Sequence, residues 1–457
     1  MDQTDDFLLE VAQKAVKQAI AKGATDVECT IAEGEEFSAA VRMGELETLK
    51  DAGSRGAGLR VLIGRKMGSS YTSDLTPEGI SQMVESAVYL AGLTTEDPHA
   101  GLPDAEDLGK LSGDLELFSN ETANLPTEER ISLAKRAEAA ALAFDPRITN
   151  SEGGSFDCSV SGRVFANSRG FAGAYRASYC SITAVPVASD KDDSDQGSME
   201  RDYWFTMARD YRGLEDPESV GRIAAQRALR RLGATKVDTQ NVPVIFEPRI
   251  ARSLLGNLFE AVEGRSIYRN ASFLAGKLGE KIAGDNFTLI DDGTIPRLFG
   301  SSPFDDEGVP TRRTVVIDRG VLKSYLLNVY TARKLGMKTT GNASRGITGN
   351  AGIGHGNFFM QPGEKSPEDI LRGVKNGFYV TELIGSGVNT VTGDYSRGAV
   401  GMWIKDGELA FPVSEVTIAS TLPRMINGIA EVGSDLEFRG SVSAPTLMMG
   451  EMTVAGR

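Results

Sequence analysis

Apolar residues at the start of the chain follow a helical pattern and then a strand pattern. From Leu8 to Ile20 they recur every three to four positions, and Gly23 ends that pattern. Strand-like runs then extend from Val27 to Ala32, Phe37 to Arg42, Gly58 to Gly64 and Met67 to Thr72. A second helix is predicted from Thr76 to about Leu93, because Pro77 suits a first helical turn. The order helix, meander, helix predicts an α+β unit built on an antiparallel sheet.

A similar alternation continues toward the middle of the chain. Helical spacing is found from Thr127 to Ala143 and from Ser219 to Leu232, and strand-like sequence lies between them from Ser155 to about Val187. We place the main domain boundary near Val237–Asn241, just before the strand-like run Val242 to Phe246.

The second half of the chain is richer in glycine and in residues that favour strands. Two hairpin-like copies, Val315–Leu322 and Met402–Leu409, place a polar residue and glycine between apolar strand ends. With a helix at 249–262 packed on the strands, this pattern predicts a barrel or sandwich. The predicted fold class is therefore α+β with two domains. Residues 1–238 form helices on an antiparallel sheet, and residues 239–457 form a β-rich barrel- or sandwich-like domain.

The composition excludes several classes of protein. The 457 residues carry a formal net charge of −14, which argues against a uniform basic surface for nucleic acid. The cysteines Cys29, Cys158 and Cys180 lack the paired spacing of a disulfide framework or a zinc ribbon. Residues 1–6 are acidic and lack the apolar segment of a secretory signal, and no run approaches about 18 apolar residues. We therefore expect a cytoplasmic protein that does not enter a membrane.

The chain has only two histidines, which restricts metal and triad chemistry. One chain cannot supply a zinc site with three histidines, and a catalytic triad has few candidates. His99 lies in a polar loop and His355 in the glycine-rich stretch Gly341–Gly356, and each is interpreted first as an ordinary turn histidine. The glycine-rich stretch lacks a phosphate-binding motif. Its glycines favour a close approach to another backbone, either of a peptide or of a partner.

Three successive carboxylates follow Phe304. Asp305, Asp306 and Glu307 could hold Ca²⁺ or Mg²⁺, or act as acid and base. Their spacing does not match an EF-hand, which alternates its ligands over about 12 positions. The structural interpretation is that they accept hydrogen bonds from backbone donors or pair with Arg312 and Arg313.

The tripeptide Ser-Arg-Gly occurs four times, at 54–56, 168–170, 344–346 and 396–398. A turn at the start of a strand explains such a motif. Arg397 belongs to the last copy, which follows Gly393-Asp394-Tyr395. We expect this copy to lie nearest a ligand cleft. Arg397 and His355 are therefore candidate peptide-binding residues.

Several motifs, taken together, resemble the TldD/PmbA family. They are Gly300–Gly308, Pro310–Arg313, Tyr325–Asn328, Ala332–Gly336, Glu415–Ala419, Val432–Asp435 and Glu451–Gly456. The resemblance spans essentially the whole chain, and within the family the chain resembles the PmbA or TldE branch, once described as a modulator of DNA gyrase. It implies a two-domain fold and a TldD–TldE heterodimer that cleaves unfolded or short peptides.

The resemblance also identifies positions where catalytic members carry metal ligands. The TldD branch has His-Glu-x-x-x-His on a helix and a later cysteine ligand. The matching positions here are Gly256, Asn257 and Ala261, and no cysteine follows Cys180. The resemblance therefore implies a non-catalytic subunit with no metal or cofactor on this chain. Zinc is expected on a TldD-like partner subunit.

Two alternatives stay open at this point. The chain could be an autonomous hydrolase that uses the acidic cluster or His355, or a regulator of DNA gyrase. The net charge disfavours direct DNA contact, because neutralising phosphates needs clustered lysine and arginine. As partners we expect the TldD-like subunit and peptide substrates, and neither nucleic acid nor a membrane. The isolated chain is also expected to form a homodimer through its C-terminal half, around 300–313 and 341–356.

Overall fold

The first half of the protein is built on one long antiparallel sheet. The computed structural model describes residues 3–111, 113–190 and 197–457. The strands of this sheet are β1 (Asp26–Arg42), β2 (Glu45–Ile63), β3 (Lys66–Thr72), β4 (Ile148–Asn167), β5 (Ala172–Ser189), β6 (Met199–Arg201) and β7 (Trp204–Ala208). The helices are α1 (Gln3–Ala21), α2 (Pro77–Leu93), α3 (Asn120–Ala123), α4 (Thr127–Leu142) and α5 (Pro217–Leu229). The strand order is β3-β2-β1-β4-β5, and both β6 and β7 pair with β5.

Alternation along β1 gives this sheet two buried faces. Ile31 and Ala39 belong to the face that the helices cover, with α1 and α2 over one end and α4 over the other. Glu28 and Thr30 point the opposite way, because successive side chains of a strand alternate. Both are nevertheless buried, since the C-terminal half packs on that second face. The sheet is therefore a layer between its own helices and the rest of the chain.

The second half of the protein contains a closed barrel and a smaller mixed sheet. Its strands are β8 (Gln240–Phe246), β9 (Leu289–Asp292), β10 (Arg313–Asp318), β11 (Val321–Leu322), β12 (Ala343–Ser344), β13 (Gly352–Ile353), β14 (Asn357–Met360), β15 (Asn376–Ile384), β16 (Asp394–Lys405), β17 (Glu408–Thr421), β18 (Ile429–Val432), β19 (Val442–Ser443) and β20 (Leu447–Ala455). Its helices are α6 (Pro248–Val262), α7 (Gly264–Tyr268), α8 (Val329–Leu335), α9 (Pro367–Arg372) and α10 (Leu422–Asn427).

The barrel follows the order β17-β16-β15-β8-β20, and a pairing of β17 with β20 closes it. The smaller sheet has the order β11-β10-β9-β14-β19. Helix α6 supplies Leu254, Leu255, Leu258 and Val262 to a core that also contains barrel residues such as Phe378. The apolar stripe of α6 is therefore explained by burial against both sheets.

The structure confirms the predicted fold class, an α+β protein whose C-terminal part is a barrel. The boundary between residues 238 and 239 stays a prediction. One local expectation was wrong, because Val27–Ala32 and Phe37–Arg42 belong to a single strand. The backbone stays extended through Gly34 because β2 and β4 pair with β1 along its length. Among the helices of the described ranges, none combines the length and apolar character that a membrane span requires.

Candidate functional site

Helix α6 carries the three positions of the expected motif: Gly256 and Ala261 at its histidine ligands and Asn257 at its glutamate. Its N-cap residue, Glu247, makes no capping hydrogen bond with its side chain, which instead pairs with Arg227 at 2.7 Å. Pro248 occupies the first turn, where its missing N–H costs nothing. The helix ends at Val262, and the next residue, Glu263, is the N-cap of α7.

The three positions differ in their surroundings. Ala261 is fully buried in the core. Gly256 is half-buried, and apart from its chain neighbours and the helix's own backbone no atom of the described residues lies within 4 Å of the place where a Cβ would stand. Asn257 is also half-buried, and its Nδ2 has no hydrogen-bond partner among the described residues. Glycine and alanine offer no side-chain donor atom, so Gly256 and Ala261 do not fit a zinc site.

His355 lies beside the last turn of the same helix. Its ring meets Phe259 edge-on, with 4.8 Å between the ring centroids. Its Nδ1 is 2.9 Å from the carbonyl oxygen of Gly356. Burial lowers the pKa of His355, so the neutral imidazole is favoured. Because a carbonyl only accepts, Nδ1 carries the proton and Nε2 is left as an acceptor.

Arg397 lies beside the first turns of the helix, on β16. It lines a cavity of about 520 Å³ between the N-terminal sheet and the barrel. Ionic residues dominate the lining, with five arginines and three carboxylates: Arg201, Arg231, Arg249, Arg252, Arg397, Glu152, Asp202 and Glu382. The Nε of Arg397 is buried and has no hydrogen-bond partner within the described ranges.

Most arginines of this cavity are already paired. Arg231 binds Glu382, and Arg249 binds Asp202 at 3.4 Å. Within the described part of the chain, Arg252 and Arg397 have no carboxylate within ion-pair distance. They are therefore the two cations with capacity to bind an added acceptor, such as a peptide carbonyl or carboxylate.

The structure thus brings both candidate peptide-binding residues to helix α6, but not to each other. Arg397 is near Ile250 and Ser253, whereas His355 contacts Phe259. Six positions separate Ser253 from Phe259, which corresponds to about 9 Å along a helix. An extended segment of a few residues would span that distance. His99, the other histidine, lies away from α6 and contacts Tyr330.

The acidic cluster is structural in its contacts. Asp305 accepts hydrogen bonds from the backbone N–H groups of Glu307, Val309 and Ala343, each at 2.9 Å. Glu307 accepts one from the Val329 N–H at 2.8 Å. The predicted backbone contacts are confirmed. The predicted pairing with Arg312 and Arg313 was wrong, because Asp306 pairs with Arg163 of β4 at 2.7 Å.

Burial changes the protonation of this cluster. It raises the pKa of Asp305 well above its ordinary value and the pKa of Glu307 to about 7. Asp291 on β9 is raised to about 7 for the same reason. Asp305 and Asp291 are enclosed by protein, whereas Glu307 borders a separate cavity next to Arg60. None of the three lines the cavity beside Arg397. The hydrolase alternative therefore gains no support from their geometry.

The glycine-rich stretch approaches a backbone closely, as predicted, but that backbone belongs to the same chain. A Cβ at Gly300 would lie 2.2 Å from the carbonyl oxygen of Gly356. A Cβ at Gly58 of β2 would lie 1.4 Å from the carbonyl oxygen of Ile347. Segments 300–313 and 341–356, expected at a homodimer interface, are thus partly covered within the chain. The homodimer itself stays a prediction.

A buried ionic network that the sequence pattern did not indicate joins the two halves. Glu28 of β1 pairs with Arg60 of β2 and with Arg345. The available signal was Ser-Arg-Gly, since Arg345 belongs to one copy and Arg169 of another pairs with Asp26. The turn interpretation was wrong for the copies at 54–56 and 396–398, which lie inside strands β2 and β16.

Metal-ligating side chains are also not grouped in the other parts of the chain that the structure describes. Across residues 3–111, 113–190 and 197–457, no three His, Cys, Asp or Glu side chains are arranged to hold a metal ion together. His355 is one nitrogen donor, but its neighbours Phe259 and Phe358 are apolar. Zinc therefore does not fit the residues that line α6.

Three models of one protein family match successive parts of the chain. The family model described as PmbA/TldA metallopeptidase C-terminal domain matches residues 239–456. The corresponding central-domain model matches residues 120–232, and the domain 1 model matches residues 27–91.

Two of the similar sequences carry metalloprotease names. Metalloprotease PmbA of Escherichia coli O157:H7 is 39% identical over 451 residues, covering 98% of this chain and 97% of that protein. The Metalloprotease PmbA homolog of Haemophilus influenzae is 32% identical over 457 residues, covering 98% of each.

Solved structures share the fold over nearly the full length. A Bacteroides thetaiotaomicron protein, named as a candidate modulator of DNA gyrase, has a TM-score of 0.90 at 26% identity and covers 98% of both chains. A Thermotoga maritima protein with the same description has a TM-score of 0.87 at 28% identity, covering 98% of this chain and 99% of that one. TldE of Thermococcus kodakarensis has a TM-score of 0.88 at 24% identity, covering 98% and 100%, which shows likeness of fold.

Proposed function

The chain belongs to the PmbA/TldD family of metallopeptidases, and from that premise we propose that it is the non-catalytic subunit of a TldD/TldE-type zinc peptidase. In this role it assembles with a TldD-like subunit that carries the zinc. The complex cleaves unfolded or short peptides in the cytoplasm, and this chain holds the peptide without taking part in bond cleavage.

The observation that carries the proposal is the chemistry of Gly256, Asn257 and Ala261. A catalytic zinc site needs nitrogen, sulfur or carboxylate donors and an open position for water. Gly256 and Ala261 supply no donor, and Ala261 is enclosed by the core. A histidine at Ala261 would have to displace neighbours such as Leu258, which is also fully buried. The helix is therefore retained as a packing element of the domain.

The cavity beside α6 supports the peptide-holding role. Arg252 and Arg397 have unused donors there, and the lining has an excess of two positive charges in a chain of net charge −14. Peptide carbonyls and a terminal carboxylate are acceptors that such donors bind. His355 adds an acceptor at Nε2, which suits a peptide N–H. These contacts are independent of the peptide's side chains, as a broad substrate range requires.

A reconstitution experiment tests the proposal. The chain and a TldD-like subunit are purified separately, and zinc content and cleavage of an unfolded polypeptide are measured for each alone and for the mixture. We expect far less than one zinc per molecule of this chain, no cleavage by it alone, and higher activity in the mixture than in the TldD-like subunit alone. The control is the mixture in which the motif glutamate of the TldD-like subunit is replaced by glutamine, which should be inactive.

Two results would overturn this assignment. Tightly held zinc at one per chain, together with cleavage by the isolated chain, would establish an autonomous hydrolase. Salt-dependent binding of duplex DNA with no effect on cleavage would instead favour the gyrase-related role.

A further inference from the structure

A second cavity lies beyond the other end of α6. Its volume is about 350 Å³, at the small end of the range for ligand pockets. Residues of β2, β3 and segment 94–101 form its N-terminal wall. Residues of α7, α8 and segment 350–353 form its C-terminal wall. It is separate from the cavity beside Arg397 and shares no lining residue with it.

Arg60 is a buried arginine in the lining of this cavity. Its side chain is only 8% exposed. The Nε donates to Glu28 at 2.6 Å, and Nη1 is 3.6 Å from the sulfur of Met67. The Nη2 is buried and has no hydrogen-bond partner among the described residues. A buried guanidinium N–H without an acceptor is costly, so this atom marks a place where a ligand oxygen would be stabilised.

Three further arginines surround the opening. Arg65, Arg265 and Arg269 line the cavity and are exposed. Within the described ranges none of them has a carboxylate at ion-pair distance. Arg65 donates to the carbonyl oxygen of Ala100, and Arg269 donates to the hydroxyl of Tyr268 at 3.2 Å. Arg265 has no hydrogen bond from its guanidinium in the same ranges.

The acidic residues of the cavity do not cancel these charges. The lining contains four arginines and two carboxylates, Asp97 and Glu307. Asp97 accepts a hydrogen bond from the His99 N–H at 3.0 Å. Glu307 accepts one from the Val329 N–H, and burial raises its pKa to about 7. The opening is therefore electropositive on a protein whose net charge is −14.

We propose that this cavity binds a small ligand through an oxyanion, either a carboxylate or a phosphoryl group. The oxyanion accepts a hydrogen bond from Nη2 of Arg60 at the base. Arg265 and Arg269 donate to it at the opening, because an unpaired guanidinium group binds such anions with two parallel hydrogen bonds. Tyr268 and Tyr330, whose rings are 6.3 Å apart, form an aromatic wall for the rest of the ligand. This site is additional to the peptide-holding cavity and does not depend on it.

Calorimetric titration of the isolated full-length chain tests this proposal with three probes, in a phosphate-free buffer at low salt. The probes are dialanine with a free carboxylate, dialanine amide and inorganic phosphate. Binding of the dipeptide acid without binding of its amide identifies a carboxylate ligand, and binding of phosphate identifies a phosphoryl ligand. Absence of binding for both anions up to about 10 mM overturns the proposal.

Variants then locate the binding. Arg60→Lys keeps a cation beside Glu28 but removes the unpaired donor, and the expected loss of affinity is about tenfold. The double variant Arg265→Gln/Arg269→Gln changes only exposed residues and is also expected to lose about tenfold. Arg424→Gln, an exposed arginine outside the cavity, is the matched control and keeps wild-type affinity. Wild-type affinity in the double variant would place the anion elsewhere and overturn the proposal, whether or not Arg60→Lys folds.

Discussion

Arg345 and Glu28 form a buried ion pair although 317 positions separate them in the sequence. Their side chains are 4% and 0% exposed, and Glu28 also pairs with Arg60. Burial alone would raise the pKa of Glu28. The charges of Arg345 and Arg60 outweigh burial and hold that pKa below its ordinary value. The pair attaches the glycine-rich segment of the C-terminal half to the second face of the N-terminal sheet.

We expect Arg345→Ala to destabilise the protein by about 3–5 kcal/mol, because it leaves part of the charge of Glu28 buried without its partner. Denaturant unfolding at neutral pH measures this loss. The matched control is Arg372→Ala, whose pair with Asp369 is exposed, and it is expected to leave stability nearly unchanged. Equal losses in the two variants would show that burial of the Arg345 pair has no special weight.

The apolar pattern was sufficient to predict α6 but not the Arg345 contact. Leu254, Leu255 and Leu258 repeat at helical spacing, and their burial follows from local sequence. An arginine in a glycine-rich segment has the same local pattern whether it is solvated or faces a carboxylate far along the chain. Arg397 lines a cavity whose lining comes from both halves of the chain, so the cavity could not be assembled from neighbouring residues in the sequence. Its role in binding a ligand stays a prediction.

Pairing between neighbouring strands explains why another prediction from local sequence was wrong. Ser-Arg-Gly at 396–398 predicted a turn, yet Arg397 lies within β16, paired across to Ile418 of β17. Hydrogen bonds on both sides of a strand hold its backbone extended whatever turn residues it contains. The degenerate motif positions could be found only through the family resemblance, because glycine and alanine on a helix carry no chemical signal of their own.

Glu307 is expected to make the protein less stable as pH rises. Burial raises the pKa of this carboxyl from 4.5 to about 7, so the folded state favours its protonated form. Its stabilising contribution is complete below about 4.5 and is lost as pH rises through about 7. Glu307→Gln keeps a neutral acceptor for the Val329 N–H, so it should lose less stability than the wild type between about pH 5 and about pH 8.

Denaturant unfolding at both pH values measures this difference. The control is Glu260→Gln, at an exposed position of α6, which should keep the wild-type dependence on pH. A Glu307→Gln protein with the same dependence as the wild type would show that this carboxyl is ionised in the folded state throughout the range.

The motif positions on α6 are expected to respond in opposite ways to larger side chains. Gly256→Ala should stabilise the protein by about 0.5–1 kcal/mol, because open space surrounds the new Cβ and alanine is the better helix former. Ala261→His should destabilise it by about 1–3 kcal/mol or more, because the site is fully enclosed. Thermal unfolding of both variants checks the order. Unchanged stability in the Ala261→His variant would mean that the core can adapt and that a ligand at this position is tolerated.

Arg397 and His355 are expected to affect peptide binding rather than the chemical step. In the reconstituted two-subunit enzyme, Arg397→Ala should raise KM by about tenfold with little change in kcat, because it removes donors that bind substrate and transition state equally. His355→Ala should have a smaller effect in the same direction, since burial keeps its ring neutral. Steady-state kinetics measures both constants, and size-exclusion chromatography checks that assembly is unchanged.

Arg424→Ala, an exposed arginine remote from α6 in sequence, is the matched control and should behave as the wild type. A large fall in kcat at constant KM, with assembly intact, would instead assign the residue to transition-state stabilisation, and the non-catalytic role of this chain would then be incorrect.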